Sequence, residues 1–168
     1  LARIATESPE EYPSVVKKLA DVGRIAATVG GGYSFDIHHL RQTAAGQAAG
    51  QKAKAMVADI LSNQALTPDQ RTSQISTAIS GLVPAQEKAV YQEALDSNNP
   101  LAMQVASGSR GNPSNLLGLI GAPLAYLDNQ NRVIPRPVTH SYSQGMTPAQ
   151  HWAATYGSRK GIVGTKIS

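Results

Sequence analysis

The chain has 168 residues and a formal charge of +4, from Lys+Arg 15 against Asp+Glu 11. It has no Cys, which excludes a disulfide framework, a thiolate nucleophile and any cysteine-based zinc site. No apolar run approaches the roughly 18 residues of a membrane span and no signal-peptide core opens the sequence, so no membrane partner is expected.

The positive charge is concentrated at one end. Residues 1–109 hold ten acidic and nine basic side chains, whereas beyond them Arg110, Arg132, Arg136, Arg159, Lys160 and Lys166 face Asp128 alone. A basic block on a near-neutral remainder points to an anionic partner for that block. A hydrophobic content of 41% argues for a folded chain, and the length fits one domain. One Trp, one Phe and abundant Ala supply few large groups to bury. The core is therefore expected to be thin, and to be completed by partners.

In chain order, Ser8-Pro9-Glu10-Glu11 predicts a helix start, with Ser as cap, Pro in the first turn and acids at the positive end of the dipole. Val15, Val16, Leu19, Ala20 and Val22 continue it as an apolar stripe that Gly23 ends or interrupts. The small apolar stretch from Ile25 closes on Gly30-Gly31-Gly32. These glycines lack the spacing and the following Lys-Ser/Thr of a phosphate loop, so a tight backbone approach is predicted instead. Tyr33 to Ile37 reads as a short extended segment. His38 to Asn63 contains no Pro and is dominated by Ala, Gln and Lys, which predicts a long helix. Leu66-Thr67-Pro68-Asp69 is a turn with a fresh cap, and a second helix runs from Pro68 towards Asp96. Ile75, Ile79 and Leu82 lie on one of its faces, and Pro84 is expected to kink or restart it. The pair forms an antiparallel hairpin, expected to protrude as a coiled coil with a thin seam.

After Asn98-Asn99-Pro100 the texture changes. Ser107-Gly108-Ser109-Arg110-Gly111-Asn112 is a loop of turn-forming residues followed by Leu116, Leu117, Leu119 and Ile120. Asp128-Asn129-Gln130-Asn131 is a turn between two short apolar runs, a hairpin-like excursion. Arg136 to Gly145 reads as irregular. Thr147-Pro148 caps a last helix that carries Trp152 and, in its middle, Gly157-Ser158-Arg159-Lys160-Gly161. The segments are 1–37, 38–99, 100–147 and 148–168.

His38 and His39 are adjacent, so on a helix they point about 100° apart, and no His or carboxylate follows at i+4; a metal site is not expected. His140 and His151 are isolated from them, and no nucleophile-elbow pattern is present. No catalytic residue is assigned. Arg159 and Lys160 differ from these, because two cations flanked by Gly157 and Gly161 permit close approach of a phosphate backbone. Each glycine weakens the helix by roughly 1 kcal/mol relative to Ala. A solvated basic turn is the other reading.

Gly145-Met146-Thr147-Pro148-Ala149-Gln150-His151-Trp152 through Gly157-Ser158-Arg159-Lys160-Gly161-Ile162-Val163-Gly164-Thr165 resembles the opening of the bridge helix in the largest (β′) subunit of multisubunit RNA polymerases. The pattern there is G-L-x-x-x-x-[YF]-F-x-x-x-x-G-[AG]-R-[KE]-G-[LI]-x-D-T-A. Ser107-Gly108-Ser109-Arg110-Gly111-Asn112-Pro113-Ser114-Asn115-Leu116 resembles the segment that opens that family's F-loop region. Leu19-Ala20-Asp21-Val22-Gly23 through Ser34-Phe35-Asp36-Ile37 resembles a third family segment upstream of the rim helices. Two departures stand out: Gly164 replaces the usual Asp, and Lys166 the usual Ala.

The resemblance implies a mostly α chain. It would comprise a helical hairpin (the rim helices of the nucleotide-entry channel), an irregular F-loop region and a C-terminal bridge-helix segment, with no independent compact fold. It further implies a structural and positioning part of a DNA-dependent RNA polymerase, a nucleotidyltransferase, active only when assembled. Arg159, Lys160, Thr165, Gly157 and Gly161 would serve nucleic-acid and active-site positioning, and Arg110 and Asn115 would support the F-loop. The catalytic Mg2+ would be held by another chain. Partners would be β-like and remaining β′-like subunits, template DNA, the RNA–DNA hybrid and nucleoside triphosphates. A split subunit of a giant-phage polymerase has this form, as does an isolated fragment of a longer subunit; either places the chain in the cytoplasm (the host's if phage-encoded), and a virion is the other location for a phage piece. The alternative is a stand-alone binding protein that mimics this polymerase region to sequester a regulator. A hydrolase built on His140 or His151 is the remaining reading.

Overall fold

The computed structural model describes residues 1–31 and 34–166; in the last helix it describes side chains as far as Gly157 and those of Arg159 and Ile162. The described residues are mostly helical and fall into two units, Leu1–Phe35 and Asp36–Ser168.

In the first unit, α1 (Ala2–Glu7) precedes α2 (Tyr12–Gly30). The predicted start at Ser8 is corrected. Ser8 ends α1, donating its N–H to Ile4 O, and its own carbonyl accepts from Glu11 N in a turn. The second helix then begins at Tyr12, with Pro13 in the first turn, where a missing N–H costs nothing. Gly23 does not interrupt it. The close approach expected at the glycines is also corrected. Nothing lies within 4 Å of a Cβ built on Gly30 or Gly31, and Gly31 stops the helix by adopting φ 71°. Gly32 and Tyr33 lie outside the described residues.

In the second unit, a 3-10 turn (Ile37–Leu40) leads to α3 (Ala44–Ser62), so the long helix begins six residues later than its composition predicts. Tertiary bonds set that start. Thr43 N–H donates to Ile120 O at 2.8 Å, Thr43 Oγ1 accepts from Gly46 N, and the Glu93 carboxylate accepts from Ala44 N and Ala45 N at 2.8 Å each. The orphan donors of the first turn are thus satisfied at Ala44 rather than at His38. A five-residue connection leads to α4 (Pro68–Asp96), opened by a Thr67–Gln70 capping box and continuous through Pro84. The expected break is absent: the helix tolerates one missing N–H because packing of its buried face holds it. The two helices are antiparallel, since Glu93 near the end of α4 caps the start of α3 while Arg71 Nη2 donates to Asn63 O at the opposite end.

α5 (Pro100–Ala106) and α6 (Pro113–Ile120) close the core. Val90 and Ala94 of α4 pack with Leu101, Ala102, Leu116, Leu117 and Ile120, and a second cluster joins Ala53 of α3 to Ala122 and Leu124. Each large aliphatic side chain so buried contributes about 1.5–3 kcal/mol.

The hairpin is not the free-standing coiled coil expected from its polar surface. A Cβ on Gly46 would lie 2.8 Å from Gly121 Cα and one on Gly50 3.1 Å from Thr139 O, so the backbone after α6 presses directly on α3. Along α4, Gln86 Nε2 donates to Ala122 O and Ser76 Oγ to Val133 O. The Asp128–Asn131 turn does join two antiparallel bridges, Leu124 to Val138 and Leu127 to Val133. Leu124 is fully buried at φ 59°, a left-handed conformation whose cost of order 1–3 kcal/mol is offset by its burial. The last helix, α7 (Pro148–Lys166), follows Thr147, whose Oγ1 accepts from Gln150 N.

Candidate functional site

The first turns of α7 are anchored to the rest of the unit. Ala153 and Ala154 are buried, as is Gln150. The Gln150 amide bridges two residues of the preceding segment: Oε1 lies 2.9 Å from His140 Nδ1, and Nε2 donates to Thr139 Oγ1 at 3.2 Å. An amide oxygen only accepts, so this bond requires the His140 proton on Nδ1. Tyr142 N in turn donates to Gly118 O, tying the anchor to α6. His140 thus has a structural partner, while His151 is exposed.

Beyond the anchor, Trp152, Tyr156 and Arg159 follow one another at i, i+4 and i+7 and share one helix face. The Trp152 and Tyr156 rings meet edge to face, with centroids 4.9 Å apart, and Arg159 Cζ lies 5.8 Å from the Tyr156 centroid. Trp152 remains 52% exposed. This face borders a cleft of about 610 Å³, whose other walls are Asp69, Thr72, Ser73 and Ser76 of α4 and Asp128 with Arg132 to Pro135 of the excursion. Within the cleft Arg132 is neutralised, donating to Asp128 through Nε at 2.9 Å. The Arg132 backbone N–H, together with that side chain, holds the Asp128 carboxyl below the usual carboxylate range.

The residues singled out in the sequence are dispersed. A Cβ built on Gly157 meets nothing within 4 Å, so that side of α7 is open. Arg159 is exposed beside it; the side chains of Lys160 and Thr165 and the surroundings of Gly161 lie outside the described residues. Arg110, in the loop between α5 and α6, and Asn115, in the first turn of α6, are exposed, and neither side chain bonds to a described residue of α7. His38 and His39 serve the 3-10 turn: Asp36 Oδ1 accepts from His38 N and Asp36 N donates to His39 Nδ1. That backbone bond depresses the Asp36 carboxyl. Among the described residues no three His, Asp or Glu converge as metal ligands. No described helix is long and apolar enough to cross a membrane.

Sequence reasoning passed over Gln150, Asp69 and Tyr156. The 152–156–159 spacing is visible in the chain, but the partners of Gln150 and the walls opposite Trp152 come from other elements.

No protein-family model matches the chain. Along its length it is similar to DNA-directed RNA polymerase subunits β′. It is 26% identical over 173 residues to that of Clavibacter michiganensis subsp. michiganensis and 29% over 174 residues to that of Pseudarthrobacter chlorophenolicus, in each case covering 99% of this chain and 13% of the relative. Over 75 residues, 45% of this chain and 7% of the relative, it is 35% identical to that of Staphylococcus aureus. The chain therefore spans about an eighth of the length of the curated relatives it matches in full.

Proposed function

We propose that this chain is a β′-like piece of a DNA-dependent RNA polymerase, acting as a structural and positioning element of template-directed RNA synthesis in the assembled enzyme. The observation that carries this reading is the likeness to β′ subunits over 99% of the chain. It takes in the helical hairpin, the loop before α6 and the Gly157–Gly161 stretch of α7 together. On this reading α3 and α4 form the rim of the nucleotide-entry channel, and α7 is the first half of the bridge helix beside the active site. Arg159 and Lys160 meet phosphate, Thr165 lies near the template base, and Gly157 and Gly161 let the strand come close; the open side of α7 at Gly157 supports that role. Arg110 and Asn115 brace the loop region in the assembly.

The magnesium ion that stabilises charge in phosphoryl transfer belongs to another chain. Partners are β-like and remaining β′-like subunits, template DNA, the RNA–DNA hybrid and nucleoside triphosphates. The assembled nucleotidyltransferase works in the cytoplasm. A second reading, a stand-alone mimic of this region, is favoured by the core that Asp36–Ser168 builds for itself.

Native purification with identification of everything that accompanies the chain separates the two. Co-purification with large polymerase subunits is expected. A monodisperse monomer with no polymerase subunit bound overturns the proposal in favour of the mimic.

A further inference from the structure

We propose that the cleft between α4, the Asp128–Asn131 excursion and α7 is a docking site for an arginine side chain presented by a basic segment of a partner polypeptide. Three features on its walls fit a guanidinium. Trp152 lines the cleft and is 52% exposed, and an indole face is the strongest aromatic acceptor of a cation. The neighbouring Tyr156 ring already has a guanidinium over it, that of Arg159 at 5.8 Å, so this helix face accepts such a group within the chain itself. Across the cleft, Asp69 makes no hydrogen bond or ion pair with a described residue, while the other carboxylate, Asp128, is matched by Arg132. Asp69, in the first turn of α4, is thus the carboxylate of the cleft that no described cation pairs, and it shares the cleft walls with Trp152 and the hydroxyl-bearing Thr72, Ser73 and Ser76.

A guanidinium suits this geometry better than an ammonium. It stacks flat on a ring while its edge donates to a carboxylate and to hydroxyl oxygens. Nucleic acid is disfavoured here, because Asp69 would repel phosphate. The inference is independent of the polymerase reading, since it uses only the cleft.

Trp152 is the only Trp in the chain, so its emission reports on the cleft directly. The test titrates the full chain with a short peptide of alternating Gly and Arg. The same peptide with citrulline for arginine, the same peptide with lysine, and a single-stranded oligothymidine are titrated alongside. A saturable change in Trp152 emission is expected with the arginine peptide, weaker with lysine and absent with citrulline. Asp69→Asn is expected to weaken binding about fivefold, whereas Asp59→Asn, the same charge change on α3 away from the cleft, leaves it unchanged. Circular dichroism of both variants checks that the fold is kept. Equal binding of the citrulline peptide, equal weakening by the two variants, no saturable change with the arginine peptide, or tighter binding of oligothymidine overturns the proposal.

Discussion

His140 Nδ1 lies 2.9 Å from Gln150 Oε1, and through this contact the irregular segment before α7 holds the first turn of that helix. Gln150 is 8% exposed and also donates to Thr139 Oγ1, so both ends of its amide are used. Gln150→Ala is expected to destabilise the chain by about 1–3 kcal/mol, because His140 and Thr139 are left with unpaired polar atoms in a half-buried setting. Gln150→Glu retains the acceptor for His140 and loses the donor to Thr139, so a smaller loss is expected near neutral pH. Urea unfolding of the three proteins checks the order; equal stability of all three removes the anchor from the account.

Glu93 caps α3 from 48 residues away, its carboxylate accepting from Ala44 N and Ala45 N. A negative group at a helix N-terminus meets both the free N–H donors and the dipole. Glu93→Ala should cost about 1–2 kcal/mol, with hydrogen exchange accelerating first in the opening turn of α3. Glu93→Gln should recover part of the loss through one retained acceptor. Exchange that speeds up uniformly along the chain, instead of at Ala44 to Gly46, is the outcome that contradicts the cap.

That bond also explains what could and could not be read from the sequence. Features fixed by neighbours in sequence were legible: the turn and cap at Thr67 and Pro68, the Asp128 turn and the Thr147 cap of α7. Features decided by distant partners were not. Residues 38–43 have helical composition, yet Thr43 is bound to Ile120 O and the start moves to Ala44. Among the glycines, the triplet at 30–32 attracted attention, whereas those against which backbone packs are Gly46 and Gly50, which read as ordinary small residues in an Ala-rich helix. The candidate site divides in the same way. Gly157 and Arg159 came from a local motif, while Asp69 joins Trp152 only through the packing of α4 beside α7.

The Asp128 carboxylate accepts from the backbone N–H groups of Gln130 and Arg132 and pairs with the Arg132 side chain. Its folded-state pKa lies below the ordinary Asp value, chiefly through the Arg132 N–H. A depressed carboxyl stabilises the fold fully above its unfolded pKa, about 3.9, and that contribution is lost as pH falls through the lower folded value. The excursion is therefore expected to loosen in acid before the helical core does. An NMR titration should place the Asp128 carboxyl midpoint below the ordinary Asp value, and Asp128→Asn should remove this part of the acid dependence. A midpoint at the ordinary value leaves the turn without its electrostatic support.

Arg159 occupies a position where two roles meet. It is exposed, it lies over Tyr156, and it stands two residues after the open glycine at 157. If α7 positions a nucleic-acid strand in an assembled polymerase, the guanidinium leaves the ring to meet phosphate. Arg159→Ala should then slow nucleotide addition about tenfold while subunit composition stays unchanged, because the anchor at Gln150 is nine residues away and untouched. Arg159→Lys keeps the charge but not the planar fork, so intermediate rates are expected. Raising salt should narrow the gap between wild type and Arg159→Ala, since a phosphate contact is screened and a ring contact much less so. An elongation rate that does not change in Arg159→Ala, at low and at high salt alike, leaves Arg159 as a residue that only covers Tyr156.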